Sequence, residues 1–212
     1  FSTGKANNPI GIISEGWNLT GGINFYKSDV NFSKCSFYNC FSEDALNIIS
    51  STFLITDCTF SYCLSDALDG DFVEGYVSGC SFENIEGDGV DFSGSVATVK
   101  DSIFTNITDK AISVGENSQV NVISCNIDNV SFGVVSKDSS KTFVTSGTIV
   151  NNSQIAAFSA FQKKDSFGPA TIKVSKSKIL NCNKLFLIQE GSEGKHDGKR
   201  VKTSVFKTRE LY

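Results

Sequence analysis

Val77-Ser-Gly-Cys80-Ser-Phe82-Glu-Asn84 is followed 22 residues later by Val99-Lys-Asp-Ser102-Ile-Phe104-Thr-Asn106. Both runs place an apolar residue, then a small one, then Phe, then Asn. The same order occurs at Phe32, Cys35, Phe37, Asn39, and at Ile55, Cys58, Phe60 with Tyr62 in the Asn place. It returns at Val122, Cys125, Ile127, Asn129, at Val144, Gly147, Ile149, Asn151, and at Val174, Ser177, Ile179, Asn181. The copies therefore begin at 32, 55, 77, 99, 122, 144 and 174, and all steps but the last are 22 or 23 residues. Short alternating segments broken by Gly, Ser, Asn and Asp, without helical periodicity, predict short strands. Three such strands per 22 residues predict an all-β chain, a right-handed parallel β-helix of about seven 22-residue coils. Coils stacked at ~4.8 Å put each residue against its counterpart one repeat away.

That stacking sorts the chain into columns. Cys35, Cys58, Cys80 and Cys125 share the small-residue column, and Cys40, Cys63 and Cys182 share another with Ile85, Ile107 and Val130. All seven cysteines are expected to point inward as free thiols, since stacked parallel side chains are misdirected for disulfides. No CxxC pair suggests zinc. The Asn column predicts an amide ladder at a turn. The last step, 30 residues, carries eight extra, expected near Phe161–Pro169 as a loop that can wall a groove. The expected division is an N-terminal segment with an incomplete coil over 1–22, the β-helix over 23–190, and a polar capping tail over 191–212. Basic residues of that tail are expected over the open end of the solenoid.

Between copies runs a second block: SEDALNIIS (42–50), SDALDGDFV (65–73), GDGVDFSGS (87–95), TDKAISVGE (108–116) and SFGVVSKDS (131–139). One of its columns reads Asp44, Asp66, Asp88, Lys110; its neighbour reads Asn47, Asp69, Asp91, Ser113; Asp71 adds another acid. Charges stacked at ~4.8 Å repel by roughly 0.9 kcal/mol even in water. These outward carboxylates must be hydrated, partly protonated, neutralised by lysine, or bridged by a cation. Asp66, Asp69, Asp71, Asp88 and Asp91 are the candidate metal ligands; hard oxygens of this kind suit calcium. A solvated acidic turn ladder is the plainer alternative. Lys110 reads either as the neutralising member of its column or as a general base, with Lys137 as a second candidate base. Asp44, Glu116, Lys163 and Lys164 are candidate substrate contacts, the two lysines attracting an anionic ligand from the long loop. His196 reads as a surface histidine.

Composition limits the function classes. A formal charge of -4 argues against general nucleic-acid binding, and no apolar run reaches membrane-span length. The chain starts Phe-Ser-Thr and contains no Met, so it reads as a mature or excised piece of a longer protein, and it is expected to be a monomeric domain.

The second-block segments SEDALN, SDALDGDF, GDGVDFSGS, DKAISVGE and SKDSS resemble the right-handed parallel β-helix repeat family of bacteria. The resemblance spans about residues 20–190 and reaches into the pectate-lyase-like superfamily. It implies a β-helix module of an exported or cell-surface protein, with a polysaccharide or protein partner and with calcium as the only cofactor. The alternative it implies is a calcium-dependent lyase of uronate polymers. There calcium on the Asp cluster would neutralise the sugar carboxylate, and Lys110 or Lys137 would take the proton alpha to it. A hydrolase using two of the carboxylates is a further variant. The chain departs from these enzymes in having no Arg before Arg200 and in placing His196 outside any Gly-His-Gly segment.

Overall fold

A computed structural model of the chain describes residues 12–14 and 16–211. Residues 1–11, half of the expected N-terminal segment, lie outside the described residues. The short strands Ile12–Ser14 and Trp17–Leu19 form an antiparallel pair. Thereafter the chain winds as a parallel β-solenoid of about eight turns with about 22 residues each. One face is a nine-stranded sheet that starts at Val30–Ser33, and every strand in it but the last runs parallel to its neighbour. The other sheet bends into two faces. Ser36–Cys40, Thr59–Cys63 and Ser81–Ile85 make one; Asp44–Ile49, Asp66–Asp71 and Val90–Ser93 make the other. In the later coils single strands such as Ile103–Gly115 run through both faces, with an irregularity between Ile107 and Lys110.

The pairing register follows the sequence columns. Val77 pairs Ile55 below and Val99 above; Phe82 lies between Phe60 and Phe104; Leu68 pairs Val90. The rings of Phe37, Phe60, Phe82 and Phe104 stack 4.5, 4.9 and 4.7 Å apart, with planes within 5° of parallel. The small-residue column ties the coils at a turn. Cys58 Sγ accepts the backbone N–H of Cys35 (3.4 Å), and Ser102 Oγ accepts that of Cys80 (3.1 Å). The Asn column marks residues in the left-handed region, with φ of 56°, 57° and 53° at Asn84, Asn106 and Asn129, which Asn tolerates better than most side chains. Their amides form the expected ladder: Asn106 Nδ2 donates to Asn84 Oδ1 (3.0 Å) and Asn129 Nδ2 to Asn106 Oδ1 (2.8 Å).

Several expectations need correction. The eighth turn is completed by Glu193–His196, which pairs with Thr171–Val174 without carrying the motif. The sixth copy slips by one residue: Thr148, not Gly147, takes the small-residue place, its Oγ1 accepting the N–H of Cys125 (3.4 Å). Val150, not Ile149, then pairs Ile127, and Asn152, not Asn151, takes the positive φ found along the Asn column. Six of the eight extra residues sit between Phe161 and Thr171; the others are this slip and a bulge between Val130 and Phe132. The cysteines are all free, but only Cys40, Cys58, Cys63, Cys80 and Cys125 are buried. Cys35 and Cys182, near the two ends of the stack, are half-exposed because less of the solenoid covers them. Burial raises the Cys80 and Cys125 thiols to about 11, which keeps them unreactive.

The tail does two things. Val201 packs against the end of the interior core beside Gly194 and Ile188. Ser204 pairs with Gln189 along the last rung, and Phe206 and Leu211 then fold back onto Phe132, Val135 and Phe161 on the outer surface.

Candidate functional site

The outer surface that the tail covers in the upper coils is the same face that carries the acids lower down. Asp44 pairs Asp66, and Asn47, Asp69, Asp91 and Ser113 follow one another in register. Asp66 Oδ1 accepts the N–H of Asp88 (2.7 Å), and Asp88 Oδ1 accepts that of Lys110 (3.0 Å). Each carboxylate thus binds the backbone one coil above. That contact requires Gly87, where a Cβ would sit 2.2 Å from Asp66 Oδ1.

The columns were expected to be hydrated, partly protonated, neutralised by lysine or bridged by a cation. Asp88 (4% exposed) and Lys110 (2%) are sunk in a cleft as a pair, while Asp66, Asp69, Asp71 and Asp91 are half-buried. The side chains crowd one another, and the backbone contacts pull them flat against the sheet. Lys110 Nζ lies 3.2 Å from Asp88 Oδ1 and 2.5 Å from Asp109 Oδ2. Lys137 reaches down two coils to Asp91 Oδ2, 3.3 Å away. Gly115 makes that reach possible, because a Cβ there would stand 2.7 Å from Lys137 Cε. At the rim, Lys164 pairs with Glu116. Asp138, fully buried, accepts the backbone N–H groups of Lys163 and Lys164 (2.6 and 2.7 Å) and so fixes the start of the long loop. Asp44, Asp66, Asp69, Asp71, Asp88, Asp91, Lys110 and Lys137 therefore share one cleft, with Glu116, Lys163 and Lys164 at its edge.

Crowding and burial set the protonation. Burial raises Asp66 to about 7, reinforced by the charges of Asp91 and Asp44. Burial likewise raises Asp88 to about 7, against the pull of Lys110, and Asp44 and Asp71 to about 6. Asp69 is pushed up by burial and by four neighbouring aspartates. For Asp91 burial acts in the same sense, but the Lys137 and Lys110 ammoniums outweigh it and hold this carboxyl below its ordinary value. Asn47 Nδ2 donates to Asp44 Oδ2 (3.2 Å) and Asp69 Oδ2 (2.8 Å), which fixes the orientation of the amide. Its Oδ1 is buried and accepts no hydrogen bond.

This protonation couples stability to pH. The folded chain holds protons on Asp66 and Asp88 that the unfolded chain, titrating near 3.8, has already released. Unfolding between about pH 4 and about pH 7 releases protons, so stability falls as pH rises through that window. A tenfold difference in proton affinity between the folded and unfolded chains is worth ~1.4 kcal/mol. In chelator the expected loss from pH 4.5 to 7.5 is about 2–4 kcal/mol, read as a falling melting temperature. Asp69→Asn should raise the melting temperature at pH 7.5 and flatten the profile. A profile that is level or climbs with pH would remove the crowded-acid account.

Sequence reasoning found the charged columns but missed Gly87 and Gly115, which leave room for Asp66 and Lys137. It also missed a serine ladder at a second turn, where Ser118 Oγ accepts the Ser95 N–H (2.8 Å) and Ser140 Oγ that of Ser118 (3.1 Å). The recurrence of Ser95, Ser118 and Ser140 at the coil period was its available signal.

Stacked parallel coils with two lateral sheets and one ionisable face define a β-helix protein. The family model described as a right handed beta helix region matches residues 21–195, and the chain belongs to that family. No curated protein matches it.

Proposed function

We propose that the lateral cleft binds a polyhydroxylated chain, a glycan, and that the domain acts as a binding module of a larger exported or surface protein. The observation that carries this reading is the surplus of acceptors: the buried Asn47 Oδ1 has no donor and sits among crowded carboxyl groups. A buried acceptor without a donor costs about 1–3 kcal/mol. A ligand rich in O–H groups supplies what the protein withholds, and the carboxyl columns follow the solenoid axis, along which an extended polymer can lie.

A divalent cation fits the same donor set. One oxygen each from Asp66, Asp88 and Asp91 lies within 4.8 Å of the others, a spacing that calcium–oxygen contacts of ~2.3–2.6 Å can span. Lys110 and Lys137 compete for two of these groups, so Asp69 and Asp71 would complete the shell. Calcium would supply charge that holds the acids ionised and anchors a ligand oxygen.

The test is a glycan screen by calorimetry with and without calcium, beside melts in chelator. Calcium is expected to raise the melting temperature by several degrees at pH 8 and far less at pH 5, where protons occupy the cluster. Glycan binding should be lost in Asp69→Asn. A melt indifferent to calcium at pH 8 removes the cation, and no saturable binding of any glycan removes the module reading.

One observation favours a second reading. Environments that push neighbouring carboxyls apart, Asp91 down and Asp66 up, pair a base with an acid, the requirement for glycoside hydrolysis. Release of reducing ends that disappears in Asp91→Asn would support it. The lyase reading gains less from the geometry, since Lys110 lies against two carboxylates as a counter-ion.

A further inference from the structure

Beyond the acidic cleft, we propose that the cavity between the long loop and the C-terminal tail is a binding site for a tetrahedral oxyanion, the phosphate or sulfate of a monoester. The cavity holds about 480 Å³ and is lined by Gln162, Lys163, Gln189, Lys207 and Arg209, with Asp165 as its one acid. Lys207 and Arg209 on the tail face one carboxylate, a local positive excess in a chain whose formal charge is -4. Neither Lys207 nor Arg209 has an ion-pair partner among the described residues.

The walls are built rather than incidental. Gln189 Oε1 accepts the Gln162 N–H (2.9 Å), while Gln189 Nε2 donates to the Phe206 carbonyl (3.2 Å). One side chain thereby joins the loop to the tail. Gln162 Nε2 donates to the Phe167 carbonyl (2.5 Å), closing the loop on itself. Phe206 anchors the tail edge-on against Phe161, with ring centroids 6.3 Å apart. The floor is thus fixed before any ligand arrives, which lowers the ordering cost of binding.

The charge arrangement suits a tetrahedral anion. An Arg fork can take two oxygens and a Lys ammonium a third. Burial lowers the Lys163 ammonium, with Lys137 and Lys110 acting in the same sense and Asp91 and Asp88 against them, so the free positive charge offered to an anion is that of Lys207 and Arg209. These neighbours of Lys163 connect the cavity to the cleft. A glycan in the cleft can place an ester substituent here; anion capture itself does not depend on the glycan reading.

Calorimetric titration of the whole chain at low salt tests this, with galactose 6-sulfate, galactose 6-phosphate, inorganic sulfate and inorganic phosphate as probes. Saturable binding is expected, weakened at least tenfold in Arg209→Gln and in Lys207→Gln, and unchanged in Lys199→Ala. Lys207→Gln alters an exposed side chain, so loss of binding with an unchanged melt is read as loss of the site. Esters tighter than the free anions identify a substituent on a larger ligand; equal affinities identify the free anion; both support the site. Galacturonate bound as tightly as the esters, absence of saturation with every probe, or equal weakening in Lys199→Ala would each overturn it. Neutral-glycan binding that fails while ester binding persists would remove the cleft reading alone.

Discussion

Replacing Lys110 with Met should destabilise the chain by about 3–5 kcal/mol at pH 8, the usual cost of leaving a buried charge without its partner. Methionine keeps most of the side-chain volume, so little of the loss would come from packing. Asp88 would remain, 4% exposed, with its carboxylate facing Asp66 and Asp91. At pH 5 the same substitution should cost about 1 kcal/mol less, since the charge on Asp88 matters only above its folded value of about 7. Asp88 is already raised to about 7 by burial, and without Lys110 it takes up a proton more readily still. The double variant Lys110→Met with Asp88→Asn should recover most of the stability at pH 8, because a neutral amide replaces the stranded charge. Urea unfolding of the three proteins at pH 5 and pH 8 gives the comparison. A penalty that is the same at both pH values would show Lys110 to matter through packing, and its role as counter-ion would be lost.

The same residue marks the boundary of what the sequence discloses. Its column, Asp44, Asp66, Asp88, Lys110, is legible because a solenoid repeats in register and a period of 22 needs no knowledge of side-chain direction. Depth is not legible in that way. Outward positions on a strand are ordinarily wet, yet here each carboxylate bends to the N–H one coil above and the row lies down against the sheet. For Asp66 that bend depends on the missing Cβ of Gly87, and the reach of Lys137 over the row depends on that of Gly115, both with neighbours distant in sequence. The one-residue slip at Thr148 was hidden because Gly147, beside it, also satisfies a small-residue column. The covering of Phe132, Val135 and Phe161 by the tail was hidden for a different reason. Those residues stand in the outward columns, where apolar side chains signal a partner without naming it, and the tail carries no repeat that would align it with them.

Phe82→Ala tests the interior on which that register rests. Phe82 is fully buried, its ring held between Phe60 at 4.9 Å and Phe104 at 4.7 Å. Truncation removes both stacking partners at once and leaves a void that the neighbouring backbones, fixed by parallel pairing above and below, cannot close. The expected loss is about 3–5 kcal/mol, in the range of large-to-small changes at rigid sites. Phe82→Leu should recover more than half of it by refilling the space. Tyr76→Ala, on an exposed side chain of the same coil, should change stability by less than about 0.5 kcal/mol. Because each coil of a solenoid touches only its neighbours, a weakened coil near the middle should also loosen the coupling between the two halves. Phe82→Ala is then expected to unfold with a shallower denaturant slope, and hydrogen exchange should show the coils on either side opening at different free energies. A sharp transition with an unaltered slope and a loss under about 1 kcal/mol, well below the cost of a rigid cavity, would mean that the stacked rings do not hold the coils in register, and the columns that define the cleft would need another source of order.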